Sequence, residues 1–413
     1  MTSRHFGQPE AAGGGELSGS QSLAPAFELV ARDGEARRGR LRTAHGVVET
    51  PAFMPVGTLG TVKSLTPADL REIGAQIVLA NTYHLFLRPG HTLIAELGGL
   101  HRFMAWDGPI LTDSGGYQVW SLAALRTIRE EGVRFRSHLD GGAEHLLTPE
   151  LVVEIQHALG VDVLHPLDEC LPHPATQDAA EDSLRRTLRW ARRAHAAHVA
   201  GRRPGQACFG IVQGGMYPAL RRTAVAETCA LGFDGYALGG FAVGEPRGLM
   251  RELVGLTAGE LPVEHPRYLM GVGRPDDVVD AVAAGVDMFD CVLPTRHART
   301  GQAFTSEGLL VIRNAAHARA AGPLDPGCPC YTCRHFSRAY LRHLFLAREL
   351  TVYRLLTLHN LTYYLGLMAG LRAAISAGTF AAFRRAVLEA YGSDDAEPVT
   401  APGSASPGQE EAS

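Results

Sequence analysis

Two aspartates in different settings are the residues of this sequence best suited to bond-making chemistry. Asp113 lies in the run Thr-Asp-Ser-Gly-Gly-Tyr-Gln, on a glycine turn beside an aromatic ring. Asp290 lies in the run Phe-Asp-Cys-Val-Leu-Pro-Thr-Arg, between apolar residues and just ahead of an arginine. Displacement at an anomeric carbon needs such a pair, because one carboxylate attacks while the other transfers protons. Aspartates alone leave glycosidase, phosphatase and aldolase-type reactions open.

A group of cysteines near the C-terminus indicates a metal site. Cys328, Cys330 and Cys333 have C-x-C-x-x-C spacing, and His359 follows in a segment that a helix could bring back to them. Three thiolates and one imidazole form a closed tetrahedral site, which is typical of structural zinc. The odd total of seven cysteines also argues against a disulfide framework. Two nearby residues are alternatives for the fourth ligand: His335 and His343.

Eight short apolar runs indicate the elements that would position these residues. Each run is followed by a polar or glycine-rich turn, and segments of helical periodicity lie between them, such as 178–200 and 275–284. This alternation predicts an α/β fold, a (β/α)8 TIM barrel with a C-terminal zinc-binding subdomain. An open doubly wound sheet is the alternative, but no G-x-G-x-x-G follows the first strand. The runs are 53–56, 77–80, 109–112, 162–164, 209–212, 235–238, 268–270 and 288–289.

The residues at the carboxyl ends of these runs are the candidates for an active site. In a barrel these ends converge on one mouth, where the active sites of this fold lie. Polar residues also end strands because they cap the next helix. Three carboxylates and a glutamine around one mouth favour a site over capping. The residues are Gly57, Asn81, Asp113, Asp168, Gln213, Gly239, Gly240, Gly271 and Asp290.

Length and composition fit one large domain with an appendage. The chain has 413 residues, of which 46% are hydrophobic and 20% charged, so it is neither mainly disordered nor collagen-like. No apolar run approaches the roughly 20 residues of a membrane span, and residues 1–24 lack an apolar signal-peptide core, so we expect a cytoplasmic chain. Tail-like composition at 1–26 and 392–413 predicts a catalytic barrel over 27–391, with the zinc-binding subdomain at about 323–371.

The charge argues against binding nucleic acid by bulk attraction. The formal net charge is −4, and the basic residues are arginines except for Lys63. Five arginines between 185 and 193 have helical spacing and are expected to form a solvated outer face rather than an RNA surface. They are Arg185, Arg186, Arg189, Arg192 and Arg193.

Seven stretches, in matching order and spacing over about residues 27–391, resemble those of the bacterial-type tRNA-guanine transglycosylases, the queuine tRNA-ribosyltransferase family. The family resemblance implies a glycosyltransferase that exchanges the wobble guanine of GUN-anticodon tRNAs for 7-aminomethyl-7-deazaguanine (preQ1) in queuosine biosynthesis. It implies double displacement through a covalent aspartyl–RNA intermediate, a homodimer, and one structural Zn2+ per subunit. The stretches are TDSGGYQ (112–118), DEC (168–170), FGIVQGG (209–215), GYALGGFAVGE (235–245), YLMGVGRPDD (268–277), DMFDCVLPTR (287–296) and the CxCxxC…H cluster.

The same resemblance implies a role for each matching position. Asp290 matches the nucleophile and Asp113 the general acid/base, while Cys328, Cys330, Cys333 and His359 match the metal ligands. The positions that match the guanine or preQ1 pocket are Ser114, Gly115, Gly116, Tyr117, Asp168, Cys170, Gln213, Gly239, Gly240, Val243 and Met270. The positions that match contacts to the tRNA anticodon loop are Gly271, Val272, Gly273, Arg274, Pro275, Asp276, Asp277, Thr295, Arg296, His297, Ala298 and Arg299.

The incoming base and the nucleic-acid substrate are the parts of this interpretation for which alternatives remain. Cys170 and Val243 match members that take preQ1, but queuine salvage and insertion of a 7-deazaguanine into DNA are alternative reactions. A non-catalytic partner subunit is disfavoured because both Asp113 and Asp290 are present, and a barrel glycoside hydrolase is disfavoured by the purine-shaped polar set. Four features depart from the family pattern and bear on the base and on tRNA binding. They are His165-Pro166, Phe241, His297 and Thr300.

Overall fold

A parallel eight-stranded sheet that closes on itself is the centre of the molecule. The computed structural model describes residues 26–118, 126–137 and 141–392, so the predicted tails lie almost entirely outside the described residues. The strands are β1 Ala26–Asp33, β2 Ala36–Thr43, β3 Gly46–Thr50, β4 Ala52–Met54, β5 Val78–Ala80, β6 Ile110–Thr112, β7 Arg126–Ile128, β8 Val133–Arg136, β9 Glu144–Leu147, β10 Val163–Leu164, β11 Ala207–Val212, β12 Gly235–Leu238, β13 Arg267–Leu269, β14 Met288–Asp290, β15 Gln302–Thr305 and β16 Gly308–Val311.

The predicted barrel is confirmed by the strand order. The large sheet runs β4-β14-β13-β12-β11-β10-β6-β5, and its pairs are parallel. The two ends of this order meet just after β4, where Val56 bridges Leu79 of β5. There the N–H of Gly57 donates to the carbonyl of Leu79 at 2.6 Å. The eight predicted runs supply the eight barrel strands, so all their carboxyl ends face one mouth.

Helices surround the barrel, and the two predicted from periodicity are found within one residue of their expected ends. They are α1 Pro67–Glu72, α2 Thr82–Leu87, α3 His91–Glu96, α4 Gly99–Met104, α5 Pro149–Leu159, α6 Gln177–Gly201, α7 Pro218–Cys229, α8 Arg247–Glu260, α9 Pro275–Ala283, α10 Leu293–Arg299, α11 Tyr331–His335, α12 Arg338–Leu346, α13 Leu350–Ala377 and α14 Phe380–Tyr391. None of these described helices is long and apolar enough to span a lipid bilayer.

The long helix α6 shows why the outer face can be polar. Thr176 caps its first turn by accepting the N–H of Ala179 at 3.3 Å, and a stripe that includes Trp190 is buried against the barrel. The arginines on the opposite face pair with glutamates, for example Arg189 with Glu130 at 2.7 Å. These pairs agree with the expected solvated face.

The irregularity expected at His165-Pro166 is found as a strand of only two residues. Proline has no N–H for a ladder, so β10 stops at Leu164. The side chain of Gln156, from α5, replaces the missing ladder by accepting from the N–H of His165 at 3.0 Å and donating to its carbonyl at 2.8 Å. The chain can therefore leave the sheet early without losing backbone hydrogen bonds.

Three smaller antiparallel sheets are added to the barrel and were not predicted from the sequence. The sheet β1-β2-β3 covers the amino ends of the barrel strands, because Leu41 and Val48 pack with residues of the barrel interior. A buried ion pair at 3.1 Å joins Arg37 of β2 to Asp287, just before β14. The other sheets are β7-β8-β9 and the hairpin β15-β16.

The two ends of the described chain also meet at this sheet. The carboxylate of Asp33 accepts the N–H of Phe380 at 2.9 Å, and Arg38 donates to the hydroxyl of Ser376 at 2.7 Å. Helices α13 and α14 therefore pack against the first strands of the chain.

Candidate active site

Asp113 is buried at the end of β6 and held by three amide groups. One carboxylate oxygen accepts from Asn81 Nδ2 at 2.6 Å and from Gln118 Nε2 at 2.7 Å, and the other accepts from the N–H of Thr82 at 2.8 Å. Burial nevertheless raises the pKa of Asp113 to about 6, and the nearby negative charge of Asp290 adds to the rise. A carboxyl group with a pKa near neutrality can both give and take a proton, as a general acid/base must.

Asp290 ends β14 and faces the same mouth. Its Oδ1 accepts from the hydroxyl of Tyr268 at 2.6 Å and from the N–H of Gly271 at 2.8 Å. Burial raises its pKa, while these two donors oppose the rise. Within the described residues both hydrogen bonds to this carboxylate go to Oδ1, which leaves Oδ2 available for attack. Gly271 can present its N–H in this way because its φ is +73°, which favours glycine.

A third carboxylate, Asp168, forms a polar floor beside the two others. It accepts from the hydroxyl of Ser114 at 2.7 Å and from Gln213 Nε2 at 2.7 Å, and burial raises its pKa. Gly116 must be small here, because a Cβ would lie 2.5 Å from the Asp168 carbonyl. Gly240 has the same role on the other side, where a Cβ would lie 2.4 Å from Gln213 Oε1. The predicted base-pocket positions Ser114, Gly116, Asp168, Gln213 and Gly240 are thus in mutual contact.

The remaining predicted pocket positions surround this floor or support it. Cys170 and Val243 are buried, whereas Tyr117 and Met270 are partly exposed, as groups that cover a ligand's faces would be. Burial raises the pKa of Tyr117 to about 12, so it stays a neutral ring at physiological pH. Gly115 has a φ of +78° at the turn that follows Ser114.

Two buried charged residues that the sequence analysis did not single out hold the loop between β12 and α8. Arg221 of α7 donates to the carbonyls of Gly215 at 2.9 Å and Gly239 at 2.8 Å, and its guanidinium lies 4.0 Å from the centroid of the Phe241 ring. Burial lowers the pKa of Arg221 to about 9. Glu245 accepts the N–H groups of Ala242 and Val243 at 2.7 and 2.9 Å.

Only one of these two loop-supporting residues, Glu245, lies in a motif that the sequence shows. Glu245 closes the motif GYALGGFAVGE, but Arg221 stands on a helix without any motif, and only tertiary packing brings it to the loop. Phe241, one of the departures from the family pattern, supplies the ring that covers the Arg221 cation.

The first predicted RNA segment, residues 271–277, is held by buried ion pairs with a residue of α8. Asp276 and Asp277 are buried and pair with Arg247, which lies 2.6 Å from Asp277. Arg274 is partly exposed and lies 3.2 Å from Asp276. The two aspartates therefore support the segment rather than extend into solvent. Gly273 is packed so closely that a Cβ would lie 2.1 Å from the Cβ of Cys291, and Val272 and Pro275 are also buried.

The second predicted RNA segment is helix α10, which starts three residues after Asp290. Thr295 and Ala298 face inward, Arg296 is partly exposed, and Arg299 is exposed. The His297 ring stacks on Phe304 at 5.0 Å, and burial lowers its pKa to about 4. Arg296 is close enough to Tyr117 to influence its ionisation. Arg296 thus borders the mouth, and Arg299 lies at the end of the helix.

The cysteine cluster is assembled by the loop before α11, by α11 itself and by α13. His359 Nδ1 lies 3.6 Å from Cys330 Sγ and 3.3 Å from Cys333 Sγ, and Cys328 completes the group. Tetrahedral zinc geometry implies about 3.5 Å between such sulfur and nitrogen atoms. The other ring nitrogen of His359 lies 2.8 Å from the Phe304 carbonyl, the outer partner that orients a ligating histidine. These four residues could hold a metal ion and fit Zn2+.

The choice of the fourth residue follows from the fold. Helix α13 brings His359 to the sulfurs, whereas His335 and His343 lie outside the described cluster and are exposed.

Comparisons with known proteins agree with this geometry. A family model described as queuine tRNA-ribosyltransferase matches residues 33–393. The queuine tRNA-ribosyltransferase of Solidesulfovibrio magneticus is 59% identical over 365 residues, which cover 88% of this chain and 97% of that protein. Those of Symbiobacterium thermophilum and Pelotomaculum thermopropionicum are each 54% identical, over 91% and 90% of this chain and 94% and 100% of their own lengths.

Proposed function

The chain belongs to the queuine tRNA-ribosyltransferase family of transferases, and from this premise we propose that it exchanges the wobble guanine of GUN-anticodon tRNAs for preQ1. The observation that carries the proposal is the meeting of Asp113, Asp168 and Asp290 at one mouth, with Gln213 beside them. Two of these carboxylates have the separate acid/base and nucleophile settings that glycosyl transfer needs. The third, Asp168, offers carboxylate acceptors for the N–H groups of a purine edge, and Gln213 beside it adds an amide.

Asp290 is proposed as the nucleophile of the first displacement. Its Oδ2 attacks C1′ of the guanosine ribose, the C1′–N9 bond breaks, and the bonding electron pair leaves with guanine. Tyr268 and Gly271 keep Oδ1 in place, which fixes the carboxylate plane for the attack. The product is an ester that joins Asp290 to the RNA.

Asp113 is proposed as the group that handles the proton in both displacements. In its protonated form it gives a proton to the departing guanine. In its ionised form it takes a proton from the incoming base, whose nitrogen then attacks C1′ and releases Asp290. The raised pKa of Asp113, about 6, supports both roles at neutral pH.

The pocket positions are proposed to recognise the base by its edge and its faces. The Asp168 carboxylate would accept from the base N–H groups, with Gln213 and the backbone of Gly239 and Gly240 alongside. Tyr117 and Met270 would cover the two faces, which suits an aromatic ring and a thioether. The buried Cys170 and Val243 would line the side of the pocket that takes the small aminomethyl substituent.

The RNA itself is proposed to lie across the segment 271–277 and helix α10. Arg296 and Arg299 are the residues proposed to bind phosphates near the flipped nucleotide. The two arginines would make the contact with RNA, whereas the buried Asp276 and Asp277 would maintain the shape of the surface.

Zn2+ is the proposed occupant of the cluster Cys328, Cys330, Cys333 and His359, with a structural role. Four protein ligands leave no open position, so the ion would organise the subdomain rather than activate a substrate. The cluster packs against the hairpin β15-β16 through the Phe304 carbonyl. Residues 27–391 are the proposed catalytic unit, which includes the zinc-binding subdomain at about 323–371 and is flanked by tails at 1–26 and 392–413. We propose that this unit acts as a homodimer in the cytoplasm.

A base-exchange assay with defined partners tests this function. Labelled guanine, preQ1 and queuine are each incubated with the protein and either an unmodified GUN-anticodon tRNA or duplex DNA. We expect incorporation of guanine and preQ1 into tRNA, with Asp290→Asn as the inactive control. Preference for queuine would indicate a salvage enzyme, and incorporation into DNA a DNA-modifying one. No exchange with any pair would indicate a non-catalytic partner subunit.

A further inference from the structure

Three side chains converge at the end of the barrel opposite the mouth. His45 Nδ1 lies 2.8 Å from one carboxylate oxygen of Asp162, and His101 Nε2 lies 3.2 Å from the other. The two imidazole rings are stacked, with centroids 3.6 Å apart and planes inclined by 19°. The two nitrogens and a carboxylate oxygen all lie within 4.8 Å of one another. None of these residues has a part in the proposed reaction.

The three residues come from separate parts of the fold. His45 lies in the turn between β2 and β3, His101 in α4, and Asp162 immediately before β10. Asp162 is fixed by the barrel ladder, because its N–H donates to the Ile110 carbonyl at 2.9 Å. Its carboxylate also accepts from the N–H of Ile110 at 2.9 Å. Such hydrogen bonds to a carboxylate are the outer support that metal sites have.

The three side chains form a donor set that suits a metal ion. Each imidazole directs a ring nitrogen toward the same carboxylate, and an ion that replaced these two contacts would be bound by three segments of the chain. The rings would turn out of their stack to direct both lone pairs to that ion. Two histidine nitrogens and one carboxylate oxygen are a common ligand set for divalent transition metals. The exposed His45 leaves the remaining coordination positions open to water.

We propose that His45, His101 and Asp162 bind one divalent transition-metal ion, at a second site independent of the cysteine cluster. The ion joins the turn of the N-terminal sheet to a helix and a strand of the barrel. At the amino-terminal face of a barrel, such a link serves stability rather than catalysis.

Metal stoichiometry tests the proposal on the full-length protein, using Zn2+ and Co2+ as the probes. Protein with its cysteine cluster loaded is dialysed against micromolar Zn2+, and bound metal is measured by elemental analysis. We expect two ions per chain, and a melting temperature that rises as the second ion binds. With Co2+, the cysteine cluster gives thiolate charge-transfer absorption, whereas the second equivalent adds none. A wild-type protein that stops at one ion per chain overturns the proposal.

Variants locate the second ion. His45→Ala removes an exposed ligand from a turn and should weaken the second site by at least about tenfold while the thiolate–cobalt absorption is retained. His101→Ala should have the same effect, with circular dichroism as the check on folding. His343→Ala removes another exposed histidine, on α12, and should still bind two ions. Retention of the second ion by both His45→Ala and His101→Ala contradicts the assignment.

Discussion

At the scale of single residues, the three aspartates at the mouth of the barrel differ in the groups that donate hydrogen bonds to them. Asp113 is held by amides, Asp168 by a hydroxyl and an amide, and Asp290 by a phenol and a backbone N–H. The identity of these aspartates could be predicted from sequence, because each follows an apolar strand. The pairing of each aspartate with its donors could not, because donors such as Asn81 and Tyr268 come from other strand segments that only barrel closure brings near.

The pH dependence of the second displacement should follow Asp113. With a pKa of about 6, this carboxyl group is ionised above that pH and protonated below it. Only the ionised form can take a proton from the incoming base. We therefore expect kcat/KM for preQ1 to fall about tenfold per pH unit below about pH 6. Steady-state exchange measured from pH 5 to pH 8 checks this.

The variant Asn81→Ala tests whether Asp113 causes the fall in kcat/KM at low pH, which is the acidic limb of the pH profile. It removes a hydrogen bond to the ionised carboxylate, and such bonds contribute about 1.5–3 kcal/mol. The limb should therefore move up by about one to two pH units. Tyr268→Phe is the matched control, since it removes a donor to Asp290 instead. A limb that moves with Tyr268→Phe and not with Asn81→Ala would assign the titration to Asp290.

Asp290→Asn should abolish the covalent intermediate without unfolding the protein. The amide oxygen can accept both hydrogen bonds now made by Oδ1, so the fold has no reason to change. The amide is a poor nucleophile, and exchange should fall by at least about 10³-fold. Denaturing gel electrophoresis with labelled tRNA measures the adduct, and a thermal melt verifies the fold. An adduct in the variant would remove Asp290 as the nucleophile.

At the scale of elements, the sequence predicts the barrel strands well and the added sheets poorly. Runs such as Val78–Ala80 are buried on both faces and appear as continuous apolar segments. Strand β2 contains four arginines in eight residues, so it resembles a surface loop although Arg37 is fully buried. Its burial depends on Asp287, about 250 residues later, and no local pattern shows that pairing.

The glycine turn after β6 packs against Asp168, so a substitution in this turn tests whether the turn determines the position of that pocket residue. Gly116→Ala places a methyl group 2.5 Å from the Asp168 carbonyl and 2.8 Å from its carboxylate, so Asp168 must move. Such overpacking costs about 1–3 kcal/mol, and we expect KM for guanine to rise by about tenfold. Gly255→Ala, in α8 with open space around it, is the control and should leave KM unchanged. An unchanged KM in Gly116→Ala would show that the turn does not shape the base site.

The cysteine cluster is tested by Cys330→Ser, which removes one thiolate. Loss of the ion from that cluster should lower the free energy of unfolding by about 4 kcal/mol, because metal and fold are linked. Elemental analysis and chemical denaturation measure the two effects. Cys229→Ser, on α7 and far from the cluster in sequence, should retain both metal and stability. Full zinc content in Cys330→Ser would contradict the proposed ligand set.

At the scale of the whole molecule, a net charge of −4 is compatible with RNA binding through a few placed arginines. The arginines of α6 pair with glutamates, whereas Arg296 lies near Tyr117 at the mouth and Arg299 is exposed at the end of α10. Sequence counting alone cannot separate these groups, because the ion pairs join residues far apart in the chain.

The salt dependence of tRNA affinity should reflect this small number of contacts. Arg296→Ala and Arg299→Ala should each lower the slope of log K against log salt by about 1. Arg192→Ala is the matched control, since Arg192 pairs with Glu227 at 2.6 Å on the outer face. Filter binding over a range of about 50 to 200 mM salt gives the slopes. A slope that changes as much in Arg192→Ala would place the RNA on α6.

The contacts between the first and last described elements have a consequence for the order of events during synthesis. Strands β1–β3 leave the ribosome well before their partners, yet Arg37 needs Asp287, Arg38 needs Ser376, and Asp33 needs Phe380. The barrel likewise cannot close until β14 pairs with β4. A nascent chain that grows at about 5–20 residues per second therefore exposes its first sheet for tens of seconds before its partners exist. The polar, arginine-rich β2 keeps that waiting segment from being an aggregation-prone apolar strand.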